Sequence, residues 1–115
     1  MLISILHRGT GVALAIGGGL LLIGWLFAIA SGASTYASFL DCVTSDSGGL
    51  SPLPLLILIG LTWTFFQHLA SGIRHLVLDT GAGYELRTNK RWAVMTLVFS
   101  FSITTVIWAM ILVRQ

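Results

Sequence analysis

Three long apolar runs, separated by polar connections, set the pattern of this chain. Gly11 to Ala30 (GVALAIGGGLLLIGWLFAIA) carries no charge, Leu53 to Leu78 is interrupted only near its end, and Trp92 to Val113 (WAVMTLVFSFSITTVIWAMILV) is again uncharged. A helix rising 1.5 Å per residue needs about 20 apolar residues to cross the hydrocarbon core of a bilayer, and all three runs qualify. Strands of a membrane barrel would be about 10 residues long and alternate in polarity, which these runs do not. The pattern predicts an all-α membrane protein with three transmembrane helices, about 11–30, 53–78 and 92–113, in a single domain over residues 1–115.

The connections differ in kind. Ser31 to Ser51 is rich in Ser, Gly and Thr, holds Asp41 and Asp46, and has no Lys or Arg. Pro52 and Pro54 mark the start of the second helix, where a missing backbone N–H costs nothing. The second connection, TGAGYELRTNKR, carries Arg87, Lys90 and Arg91. By the positive-inside rule this loop faces the cytoplasm or the mitochondrial matrix. His7 and Arg8 then lie on the same side and Arg114 on the other, so the N-terminus is inside. Gly17, Gly18 and Gly19, within the first apolar run, read as a helix-packing surface.

Composition narrows the chemistry. Only 9% of residues are charged, against about 25% in soluble domains, so the chain has membrane composition. No basic run with interleaved aromatics points to nucleic acid. The single cysteine, Cys42, can form neither an internal disulfide nor an iron–sulfur cluster, which needs about four ligands. No glycine-rich phosphate loop follows a strand, which speaks against nucleotide binding.

Against this apolar background one stretch stands out: HLASGIRHLVLD, residues 68–79. At about 100° per residue, His68, Gly72, His75 and Asp79 share one helix face, while Arg74 points about 120° away. Ionisable groups in a span face protein or a cofactor rather than lipid. His68 lies about 16 Å deeper than Asp79 along the axis, near mid-membrane if Asp79 marks the inner boundary. A histidine there serves either as a hydrogen-bonded packing residue or as a ligand, above all of haem iron. Ala70, Ser71 and Gly72 are small enough to admit a flat macrocycle beside His68. His75, nearer the inner surface, is placed to meet a propionate, and Asp79 to orient His75 by accepting its ring proton. Zinc fits less well, because no strong ligand stands three or four residues from His68.

A second polar cluster, SILHRGTG at 4–11, puts Ser4, His7 and Arg8 at i, i+3, i+4 spacing on one face. By itself it reads as a capping serine and an arginine anchored at the headgroups. The same hydroxyl, imidazole and guanidinium can also donate hydrogen bonds to a quinone carbonyl and stabilise negative charge on its oxygen.

Together, SILHRGTG and HLASGIRHLVLD resemble the succinate dehydrogenase cytochrome b556 subunit family, the larger of the two membrane anchors of complex II. The family patterns S-x-x-H-R-x-[ST]-G and H-x-x-x-G-[IL]-R-H-[LM]-x-x-D are both matched in full, in order, and the three-span layout agrees. The resemblance implies that His68 is the axial ligand of haem b, the other ligand coming from a second hydrophobic anchor subunit. It implies that Ser4 and Arg8 line a ubiquinone site beside the iron–sulfur subunit, and that His7 and Arg8 lie near the haem propionates. For His75 and Asp79 the motif matches, and their role rests on the helix-face argument.

The implied function is a haem-binding anchor of succinate:ubiquinone oxidoreductase in a bacterial or mitochondrial inner membrane, with succinate oxidation left to flavoprotein and iron–sulfur partners. Family members usually carry a further segment before SILHR, so a truncated or partly ordered N-terminus is expected. Three other readings stay open. One is a quinol:fumarate reductase anchor, and another a non-redox membrane scaffold. The third, a self-contained bis-histidine cytochrome, is disfavoured because His75 shares the His68 helix and His7 is expected two or more turns too shallow.

Overall fold

The structure, a computed structural model, describes residues 2–82 and 85–115; Gly83 and Tyr84 of the second connection lie outside the described residues. The chain forms α1 (Leu2–Ala13), a π-helical turn (Leu14–Gly18), α2 (Gly19–Ala30), α3 (Ala33–Val43), α4 (Pro52–Asp79) and α5 (Leu86–Val113). The segment from Leu2 to Ala30 is one continuous helical run, so three helices are long and apolar enough to cross a membrane: Leu2–Ala30, Pro52–Asp79 and Leu86–Val113. Among the described residues no strand forms beyond one isolated bridge, Thr44 to Leu50, in the first connection.

The helices outrun the charge-free stretches that announced them. The first begins at Leu2 rather than near residue 11, and the third at Leu86 rather than near 92. A helix of 28 residues is about 42 Å long, well over the roughly 30 Å hydrocarbon core, so polar first and last turns extend into the headgroup layers. Ser4 therefore lies inside α1 and is not its N-cap. The first connection also holds a helix, α3, that the Ser, Gly and Thr content concealed. Gly32, at φ 103°, makes the turn between α2 and α3, a conformation that suits glycine. Of the three consecutive glycines only Gly17 approaches another helix, its Cβ position lying 3.6 Å from Leu61 Cδ2; Gly18 and Gly19 face open space. The π-helical turn ends within this run, where side chains offer little resistance to a wider turn.

α4 is the centre of the bundle and packs against α1 on one side and α5 on the other. Its seam with α5 is polar rather than apolar. The buried residues of α5 are Thr96, Ser100, Thr104 and Trp108, spaced four apart; those of α4 are Thr64, Gln67, Ser71 and Arg74. Within it, the Ser100 hydroxyl donates to Gln67 Oε1 at 2.6 Å and the Trp108 indole N–H donates to Thr62 Oγ1 at 3.2 Å. Lipid tails are as apolar as leucine, so apolar burial gives little drive to join helices in a bilayer; small residues and interhelical hydrogen bonds do that work. The large apolar side chains accordingly point outward, among them Leu22, Phe27, Leu56, Phe65 and Phe99.

Candidate functional site

The two polar clusters seen in the sequence meet where α1 crosses α4. His68 and His7 stack face to face, with ring centroids 4.1 Å apart and planes 6° from parallel, and His75 tilts against His7 at 5.1 Å. His7 is thus level with His68, not two turns shallower as the sequence suggested. The cause is the early start of α1, which carries the first cluster into the bundle. The self-contained bis-histidine reading, disfavoured on the depth of His7, loses that ground, though the two rings lie face to face and do not converge their nitrogens on one point.

His68 is oriented by α1. Its Nδ1 lies 3.1 Å from the His7 carbonyl oxygen and 3.2 Å from Thr10 Oγ1, and the Thr10 hydroxyl donates to the same carbonyl at 3.0 Å. A carbonyl can only accept, so Nδ1 carries the proton and a neutral ring has its lone pair on Nε2. Among the described residues no protein hydrogen bond engages Nε2. An imidazole fixed by one nitrogen and open at the other has the form metal-ligating histidines take. The donor set therefore fits an axial haem ligand, with its hydrogen-bonding support already built in.

The residues around this pair complete the arrangement. Ser71, fully buried, donates to the Gln67 carbonyl at 2.8 Å, which leaves its oxygen to accept from His7 Nδ1 at 2.7 Å. Gly72 sits beneath the same ring, its Cβ position 3.7 Å from His7 Cε1. The small residues after His68 thus seat His7 rather than a macrocycle. A Cβ on Gly11 would come within 3.0 Å of His68 Cε1, so this glycine lets the ring lie against the α1 backbone. Thr10, Gly11 and Gln67 were given no role from the sequence, and Ser71 only that of a small residue. Thr10 and Gly11 are the closing residues of the first motif, which was the one available signal.

The remaining expected residues are placed as follows. Ser4 is half-buried and borders a cavity between the inner ends of the helices, while Arg8 is exposed. Neither side chain makes a hydrogen bond among the described residues. Asp79 is exposed and makes no hydrogen bond or ion pair with His75, contrary to the sequence expectation. It is the last residue of α4, where water solvates the carboxylate better than a neighbouring imidazole would. Arg74 points away from the histidines, as its helical angle required, and its Nη2 donates to Asn89 Oδ1 on α5.

A polar centre between helices that cross a bilayer defines a membrane helix-bundle subunit. Residues 1–107 match the family described as "Succinate dehydrogenase/Fumarate reductase transmembrane subunit". A Rickettsia felis protein named succinate dehydrogenase cytochrome b556 subunit is 29% identical over 106 residues, covering 92% of this chain and 77% of its own. The Paracoccus denitrificans protein of the same name is 36% identical over 83 residues, covering 72% of this chain and 58% of its own. The human mitochondrial succinate dehydrogenase cytochrome b560 subunit is 34% identical over 103 residues, covering 87% of this chain and 56% of its own. This chain belongs to the family of succinate dehydrogenase and fumarate reductase transmembrane subunits.

Proposed function

We propose that the chain is the haem b-binding anchor subunit of a succinate:ubiquinone oxidoreductase in a bacterial or mitochondrial inner membrane. The observation that carries the reading is the state of His68: Nδ1 committed to the His7 carbonyl, Nε2 left with a lone pair. Bound there, haem supplies a one-electron carrier. The chain's own residues hold His68 in one tautomer and one orientation, with Thr10 polarising the accepting carbonyl and His7 stacked on the ring. Another hydrophobic subunit would supply the second haem ligand, because His7 is engaged in stacking on His68 and bonding to Ser71. His7, Arg8 and His75, at the inner end, are the groups that meet the propionates.

Quinone reduction adds two electrons and two protons, and charge builds on a carbonyl oxygen on the way. Ser4 and Arg8, one turn apart on α1, offer a hydroxyl donor and a guanidinium to that oxygen at the inner membrane boundary. A peripheral iron–sulfur subunit, itself supplied by a flavoprotein, delivers electrons on this side. The relatives' names speak of succinate dehydrogenase, which favours succinate oxidation over the fumarate reduction that the family description also covers.

The test is His68→Leu in the assembled complex, followed by reduced-minus-oxidised optical spectroscopy. Loss of the low-spin b-type spectrum with the subunits still associated is the expected result. An unchanged bis-histidine spectrum assigns the ligand elsewhere.

A further inference from the structure

Another cavity, of about 180 Å³, lies at the inner end of the α4–α5 seam. Arg74, Thr88 and Asn89 give it a polar wall, and Val77, Leu78 and Trp92 an apolar one. Neither Ser4 nor a histidine borders it. Arg74 is 9% exposed, and among the described residues it forms no ion pair. Its one side-chain partner is the neutral carboxamide of Asn89, and its buried Nε has no partner. Burying an uncompensated guanidinium is costly, and such a group calls for an anion. Thr88, in the first turn of the 28-residue α5, adds a hydroxyl where the helix dipole also favours negative charge. The carboxylates nearest in sequence leave the Arg74 charge unmet. Asp79 is exposed at the end of α4, and Glu85 reaches only the Thr88 hydroxyl, at 3.5 Å.

Size and charge narrow the occupant. At about 180 Å³ the space falls below the roughly 300 Å³ at which sites for drug-sized molecules begin. A free inorganic anion meets the charge but leaves the apolar wall uncovered. An acidic side chain meets both, its carboxylate at Arg74 and Thr88 and its methylenes against Val77 and Leu78. We propose that this pocket receives an aspartate or glutamate side chain of a peripheral subunit docking on the inner face. The proposal rests on the function given above, in which such a subunit delivers electrons on that side. Arg87, Lys90 and Arg91 are exposed around the start of α5, so an acidic partner surface is drawn to this end of the bundle.

The experiment uses the native complex in its own membranes. Arg74→Gln removes the charge and keeps a hydrogen-bonding side chain. Chaotrope washes, followed by assay of succinate oxidation with an artificial acceptor, read how firmly the peripheral unit is held. Release about 30-fold faster than from wild type, with the b-type spectrum of the membranes unchanged, is the expected result. Exposed Ala82, at the rim of the pocket, gives a second reading even where Arg74→Gln fails to assemble. In Ala82→Lys a carbodiimide joins the new amine to any carboxylate in contact with it, and mass spectrometry identifies the linked peptides. The link is expected on an acidic residue of a peripheral subunit. Three results overturn the proposal: release from Arg74→Gln at the wild-type rate, links confined to Asp79 or Glu85, or no link at all. Wild-type membranes without a b-type spectrum or succinate oxidation refute instead the function on which it rests.

Discussion

His68 owes its chemistry to residues that do not stand beside it in the sequence. The helical spacing of residues 68–79 was enough to pick out its face, because side chains four and seven residues on recur at the same azimuth. What that face would meet was not legible, since it depends on where α1 crosses α4, a matter of packing between segments about sixty residues apart. Gly11 is the clearest case. Its Cβ position is 3.0 Å from His68 Cε1, so Gly11→Ala must push the ring or the helix aside. The expected cost is about 1–3 kcal/mol of local strain, seen as weaker haem retention and a shifted b-type spectrum in the assembled complex. An unaltered spectrum means the ring moves freely and is not held by α1. Ser4 makes a second residue-scale test, sharper now that it is known not to cap the helix. Ser4→Ala and Arg8→Leu are each expected to slow quinone reduction, the charged case by roughly 30- to 1000-fold, or about 2–4 kcal/mol. Succinate oxidation by an artificial acceptor should be largely kept. If Ser4→Ala leaves quinone turnover and KM unchanged, the hydroxyl serves packing alone.

At the scale of elements, three spans were readable from hydropathy because the bilayer demands about 20 apolar residues whatever their neighbours. Their ends were misread for the complementary reason: polar first turns are solvated by headgroups, so charge at Arg8 or Lys90 does not end a helix. The α4–α5 seam was hidden too. Gln67, Thr96 and Ser100 look like isolated polar residues in apolar text, and only the paired register turns them into interhelical bonds. Ser100→Ala strands the Gln67 carboxamide oxygen inside the seam and should cost about 1 kcal/mol, measured as a lower thermal midpoint of the detergent-solubilised complex. A midpoint within error of wild type would show the seam held by shape alone. The unforeseen α3 has a readable logic once it is seen as a helix. Tyr36, Phe39, Leu40 and Val43 fall within about 100° of arc, with Ser34, Ser38 and Asp41 opposite. Two residues after a membrane span, such a helix is expected to lie in the outer headgroup layer. Spin labels placed along it should report oxygen access at positions 39 and 40 and aqueous-reagent access at 38 and 41. A flat profile counts against that placement.

For the whole molecule, charge and geometry combine into one arrangement. The His7 cluster and the Arg74–Asn89 pair occupy one end of the bundle. At the other end the C-terminus approaches the first connection, with Gln115 Oε1 3.4 Å from the Cβ position of Gly49. Three antiparallel spans require this alternation, and the positive-inside rule gives it a direction. Arg87, Lys90 and Arg91 cluster at the end that holds the histidines, whereas the first connection carries only Asp41 and Asp46. The histidines and the Ser4–Arg8 pair should therefore lie nearer the cytoplasmic or matrix face. Exposed Cys42, on α3, provides a native reporter for the opposite face. In spheroplasts or mitoplasts an impermeant thiol reagent is expected to label Cys42 from outside. In a Cys42→Ser background, a cysteine placed at Arg87 should label only after lysis. Burial in the complex could shield either site, so the contrast between the two carries the test. Outside labelling at 87, with Cys42 reached only after lysis, would invert the topology and move the quinone-side residues away from any electron donor on the inner face.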